Sequence, residues 1–124
     1  MKLKFSLFIV LTCFLLSCKK SSSSNSSGNK IEYQVTFTGV SGGNVTYNNE
    51  DQQTIGTSAN SGWVVSFNTA KKPFTATLRA ASATGNTTTV MTLDLKIFVN
   101  DKIVQSQSFS GTVALDQQIQ YVVQ

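Results

Sequence analysis

The chain has 124 residues, room for one domain, and a net charge of +4 with no histidine. The charge excess is N-terminal: Lys2, Lys4, Lys19 and Lys20 precede residue 21. After that, Lys30, Lys71, Lys72, Arg79, Lys96 and Lys102 balance Glu32, Glu50, Asp51, Asp94, Asp101 and Asp116. A neutral body carries no basic stripe, so no nucleic acid is expected as a partner.

Residues 1–17 read as a signal peptide. Lys2 and Lys4 form a positive start, and FSLFIVLTCFLL (5–16) forms an apolar run. As a helix that run spans roughly 18 Å, short of the ~30 Å hydrocarbon core of a bilayer. Directly after it, Leu15-Leu16-Ser17-Cys18 resembles the lipobox of bacterial lipoproteins. In that family the cysteine thiol receives diacylglycerol, the peptide is cut before the cysteine, and the new amine is usually acylated. The resemblance implies that Cys18 is the lipidation site and that Leu15, Leu16 and Ser17 complete the recognition box. It departs from the usual pattern only in Leu16. The competing readings are an ordinary secretory signal with an incidental cysteine, or an uncleaved short anchor.

Cysteine usage agrees with an anchor. Cys13 lies inside the apolar run and no cysteine follows Cys18, so the mature body has no internal disulfide to form. A lone cysteine without histidine also lacks the co-ligands of a metal site and the base of a nucleophile. Residues 18–29 then form a lipidated cysteine and a tether. SSSSNSSGN (21–29) has no apolar side chain to bury and is expected to be disordered. Lys19 and Lys20 can meet anionic headgroups, at about 1 kcal/mol each near the surface.

The domain is expected over 30–124. Ile31, Tyr33, Val35 and Phe37 alternate with polar residues, a half-buried strand. Val45 and Tyr47 suggest a second strand after Ser41-Gly42-Gly43, and Ile55 a weak third. Trp63, Val65 and Phe67 alternate again. Phe74, Ala76, Leu78 and Ala80 follow Pro73, the one proline, at a strand start. Met91, Leu93, Leu95, Ile97 and Val99 give the strongest alternation, and Asn100-Asp101 predicts a tight hairpin. Val113, Leu115, Ile119, Tyr121 and Val123 supply the last strand or two. About seven short strands predict an Ig-like antiparallel β-sandwich, with a small β-barrel as the competing architecture.

YQVTFTG (33–39), NVTYNNED (44–51), Trp63 followed by Phe67, FTATLRAAS (74–82) and LDLKIFVNDKIVQSQSFSG (93–111) together resemble the C-terminal domain of the MmpS family. Those are small membrane-tethered β-sandwich proteins that assist lipid-exporting transporters. The resemblance covers most of residues 31–111 and implies a sandwich fold and a transporter as partner. Asn100-Asp101 and Leu95 depart from it, as does a lipobox in place of a transmembrane helix. No residue of the quoted stretches carries the transporter role.

No catalytic residue, metal or cofactor is expected. Glu50-Asp51 is the one adjacent carboxylate pair, in the loop NNEDQQ, and neighbouring side chains do not converge on one scissile bond. With Asn48 and Asn49 that loop could offer oxygens to calcium, against the simpler reading of a solvated turn. Asp94 and Lys96 share an outer strand face. Trp63, Tyr33, Tyr47 and Tyr121 suggest either an aromatic platform for glycan or lipid or core packing; Trp63, Tyr33 and Tyr121 are in phase with aliphatic neighbours, which favours packing, and Trp63 is the candidate inter-sheet filler. The glycosylation pattern at Asn25, Asn44 and Asn86 is taken as chance beside a bacterial lipobox. The expectation is a membrane-anchored lipoprotein of the cell envelope, outer membrane favoured. Its domain faces periplasm or exterior and does non-enzymatic binding or accessory work beside an envelope protein or transporter. The alternative is a small-ligand or glycan-binding module at the cell surface.

Overall fold

The computed structural model describes residues 28–84 and 88–124. Eight strands run in chain order: β1 (Asn29–Thr38), β2 (Gly42–Asn48), β3 (Thr54–Asn60), β4 (Trp63–Thr69), β5 (Phe74–Ser82), β6 (Met91–Val99), β7 (Lys102–Gly111) and β8 (Asp116–Val123). They form two antiparallel four-stranded sheets, ordered β4-β1-β6-β7 and β3-β2-β5-β8. Each sheet keeps two free edges, so the fold is a β-sandwich and not a closed barrel.

Period-two alternation builds the core. Ile31, Tyr33, Val35 and Phe37 of β1, Phe74, Ala76, Leu78 and Ala80 of β5, and Met91, Leu93, Leu95 and Ile97 of β6 all face inward and are buried. Those strands sit inside their sheets, where both neighbours shield them. Each large aliphatic side chain buried there contributes about 1.5–3 kcal/mol. Leu95 points in and Lys96 out, the phase that the alternation predicts.

Local chemistry sets the turns. Asn100 (φ 51°) and Asp101 (φ 65°) both adopt the left-handed conformation of a two-residue hairpin between β6 and β7. Asn100 also clamps the start of β1: its N–H donates to the Lys30 carbonyl at 2.8 Å, and its Oδ1 accepts from the Lys30 N–H at 2.9 Å. At the other end, Gly39 (φ 78°) lets β1 cross to the second sheet. A side chain there would meet the Val90 carbonyl oxygen at 2.4 Å. Where β4 stops short of Phe37, the Ser61 hydroxyl takes its place in the ladder. It donates to the Phe37 carbonyl at 2.6 Å and accepts from the Phe37 N–H at 3.2 Å.

Several expectations need correction. Asn29, assigned to the tether, opens β1 opposite Thr69. Val113 is not in a strand; it lies 69% exposed in the β7–β8 loop. Leu115 is buried there because its N–H donates to Ser82 Oγ at 2.9 Å and its carbonyl accepts from the Ser82 N–H at 2.8 Å. Trp63 faces inward and meets Tyr47 of the other sheet, but it is only half-buried; Tyr33 is the large side chain fully buried between the sheets. Tyr121 shares the phase of Ile119 and Val123 yet stays 38% exposed, because β8 is an outer strand.

Candidate functional site

The strand order has an internal repeat. Adding four to the strands of β4-β1-β6-β7, or subtracting it where the number exceeds four, gives β8-β5-β2-β3, which is the other sheet. The long side edged by β3 and β4 is therefore the topological counterpart of the side edged by β7 and β8. The chemistry of the two sides differs.

On the β3/β4 side, the inward positions of β4 are Trp63, Val65 and Phe67, all half-buried, and Ile55 of β3 is half-buried as well. Behind them the rings form a chain from surface to core. Trp63 and Tyr47 have centroids 5.4 Å apart, Tyr47 and Tyr33 5.6 Å, Tyr33 and Phe67 5.9 Å, and Phe67 and Phe74 6.0 Å. The tilted and edge-on geometries are those that ring quadrupoles favour. The Tyr33 hydroxyl donates to the Asn48 carbonyl at 3.0 Å, and burial pushes its pKa well above the usual phenol range. Neither β3 nor β4 contains a charged residue.

On the β7/β8 side, the inward positions of β7 hold Gln105, Gln107 and Phe109, paired with Ile97, Leu95 and Leu93, and those of β8 hold Ile119, Tyr121 and Val123, paired with Leu78, Ala76 and Phe74. A register shift between Ile97 and Phe98 bulges the β6–β7 ladder, with Val104 as the extra residue. Lys102 opens β7, and Asp116 opens β8, where it accepts from Arg79 Nε at 2.8 Å.

Of the residues weighed from sequence, Tyr33 is core, Trp63 and Tyr47 share the half-exposed end of the ring chain, and Tyr121 stands apart on β8. Asp94 and Lys96 lie on the outer face of the first sheet, opposite Thr36 and Gln34. The NNEDQQ loop is a self-bonded turn. Asn49 Oδ1 accepts from the backbone N–H of Asp51 at 3.0 Å and of Gln53 at 2.9 Å, and Asn48 Oδ1 accepts from Thr54 Oγ1 at 3.4 Å. The amide oxygens that a calcium ion would need are thus engaged by the loop itself. Lys71 Nζ donates to the Asp51 carbonyl at 2.8 Å and lies 3.8 Å from its carboxylate. Asn44 is exposed on the outer face of β2. Leu15, Leu16, Ser17, Cys18, Asn25 and Asn86 lie outside the described residues. Sequence reasoning missed that Trp63, Tyr47 and the two uncharged strands lie together; the absence of charge from 54–60 and 63–69 was the available signal.

No protein-family model matches the chain, and no curated protein matches it.

Proposed function

We propose that this chain is a lipid-anchored protein of the bacterial cell envelope whose sandwich serves as a non-enzymatic binding or accessory module. The observation that carries the reading is Leu15-Leu16-Ser17-Cys18, set between an apolar run and a serine-rich stretch. Cys18 holds the membrane through its covalent lipid. From Cys18 to the first strand residue, Asn29, is 29 − 18 = 11 residues. A Ser/Gly-rich coil of that length has an r.m.s. reach of about 20 Å.

The tether sets an orientation. The end of the sandwich where β1 begins also carries the 49–53 loop, the 70–73 connection and the Asn100-Asp101 hairpin. It holds Lys30, Glu50, Asp51, Lys71, Lys72 and Asp101. Among the described residues, the crossings at the far end (39–41, 61–62, 83–84, 88–90 and 112–115) contain no charged residue, and Asp116 follows the last of them. Among the described residues there, Val90 and Val113 are 61% and 69% exposed. An anchor at Cys18 attaches the end rich in charge to the membrane and leaves the far end, with Val90 and Val113, open to a partner in the aqueous compartment. An envelope protein or transporter fits that partner, in keeping with the MmpS resemblance of residues 31–111.

A second reading, a small-ligand or glycan-binding module, is favoured by the half-exposed Trp63–Tyr47 pair. Purification of the acylated protein from gently solubilised membranes separates the two. A stoichiometric envelope protein or transporter supports the first; bound saccharide or lipid without a protein partner supports the second. Hydrolytic turnover of ester, glycan or peptide substrates would overturn both.

A further inference from the structure

Sheet edges present unpaired N–H and C=O groups, and natural proteins blunt them with lysine, proline, bulges or short strands. In the second sheet, β8 starts at Asp116, and in the first sheet β7 has Lys102 and a bulge. β3, among the shortest strands, has no lysine, proline or bulge. Thr54-Ile55-Gly56-Thr57-Ser58-Ala59-Asn60 is seven residues long, uncharged and free of proline, and pairs with β2 in unbroken register from Gly42↔Asn60 to Asn48↔Thr54. The neighbouring edge, β4, is partly covered, since Thr69 Oγ1 donates to the Glu50 carbonyl at 3.1 Å and the Lys71 side chain reaches Asp51.

Gly56 is the second observation. Its φ is not positive, and a side chain added there would meet nothing within 4 Å. Neither backbone conformation nor packing in this chain calls for glycine, which weakens a strand interior and often marks the close approach of another backbone.

We propose that β3 is a homotypic docking strand: two copies of this chain join edge to edge, antiparallel about Thr57, and fuse their second sheets into one. A two-fold axis normal to the sheet places Thr57 opposite Thr57, Gly56 opposite Ser58, Ile55 opposite Ala59 and Thr54 opposite Asn60. Self-pairing sets Thr57 against its own copy and Gly56 and Ser58 within two positions of theirs, so a charge near the axis would face its like. An uncharged strand meets that condition. Of the inward residues, Thr57 meets its own copy, and Ile55, half-buried in one copy, covers the smaller Ala59 of the other. The outward pairs are small or hydrogen-bonding throughout. A second copy therefore suits this edge better than a partner recognised through charge.

Disulfide trapping in membranes from cells making the full chain tests the pairing. Directly opposed residues of an antiparallel pair have Cα atoms about 4.5–5.5 Å apart, within the span of a disulfide, so Thr57→Cys can oxidise to a dimer. The wild-type chain has no cysteine beyond Cys18 and reports any background from that residue, so a failed anchor assignment is visible separately. Ser106→Cys, exposed on β7, reports random collision. Thr57→Cys should give several-fold more dimer than either, and adding Gly56→Lys should abolish it while the melting temperature holds. Dimer yields equal to those of Ser106→Cys would overturn the proposal, as would a disulfide formed mainly with a different protein. A Gly56→Lys chain that still traps as dimer at the Thr57→Cys level would also overturn it.

Discussion

Along the β7/β8 side of the sandwich, β7 turns Gln105 and Gln107 inward while β8 buries Ile119 and Val123, a bulge breaks the β6–β7 ladder, and Lys102 and Asp116 mark the edges. Along the β3/β4 side, the equivalent strands carry Trp63, Val65, Phe67 and Ile55 inward and no charge at all. Topology is the same on both sides, so it does not dictate this contrast. Nor does core stability demand uncharged edges, because β7 and β8 open on Lys102 and Asp116 and β8 still buries Ile119 and Val123. Edge chemistry therefore differs where topology does not, with lysine, a bulge and aspartate on one side and none of them on the other.

The largest expected effect lies in the centre that both sides share. Leu95→Asp places an unpaired charge in the core and should cost several kcal/mol, enough to unfold a domain whose total stability is about 5–15 kcal/mol. Lys96→Asp, on the outer face, should shift stability by about 0.5 kcal/mol or less. Circular dichroism melts of the two variants check the register; a more damaging Lys96→Asp would invert β6.

The next test sets one side against the other. Tyr33→Ala removes the ring that joins Tyr47 to Phe67 and should cost about 3–5 kcal/mol. Tyr121→Ala, on the exposed edge strand, should cost about 1 kcal/mol or less in the same denaturant titration. Tyr33 also makes its half sensitive to alkali. Burial favours its neutral form, so its contribution is complete below the unfolded pKa of about 10 and falls as pH rises through the higher folded value. Tyr33→Phe should lose that alkaline dependence, seen in melts at rising pH.

Trp63 gives a smaller effect. Half-buried at the end of the ring chain, it should lose about 2 kcal/mol on Trp63→Ala, less than a fully buried tryptophan. As the one tryptophan, it reports directly, and acrylamide should quench its fluorescence to an intermediate extent. Full protection would make it the inter-sheet filler after all.

The smallest effect belongs to the β7/β8 side. The hydrogen bonds from Arg79 hold the Asp116 carboxyl below its ordinary range. Its stabilisation is therefore present above the unfolded pKa of about 3.9 and lost as pH falls through the folded value. Both side chains are half exposed, so solvent screens the pair. Arg79→Met should barely move the neutral melting temperature and slightly flatten its acid limb.

How far the sequence reveals this molecule depends on where a strand sits. In β1, β5 and β6, interior to their sheets, alternation of apolar and polar residues maps directly onto burial, and the Asn100-Asp101 hairpin follows from residues that tolerate positive φ. At the edges the same alternation gives the direction of a side chain but not its depth. Trp63 and Tyr121 are in phase and still partly exposed, because exposure there depends on a missing neighbour. Val113 fits the period but lies in a loop fixed by the Ser82–Leu115 hydrogen bonds, a contact between residues 33 apart. The candidate site was illegible for the same reason: that β3 and β4 form one side is a property of pairing order, and no local stretch encodes it.

The proposed site of action depends on the anchor, and the intact mass of the mature protein from membranes tests it most directly. The mature chain should start at Cys18 and carry about two or three acyl chains, whose burial at ~0.8 kcal/mol per CH₂ gives stable attachment. In the same measurement Cys18→Ser should yield an unacylated precursor that retains residues 1–17. A mature wild-type chain with an unmodified Cys18 would contradict the anchor, and with it the proposed site of action.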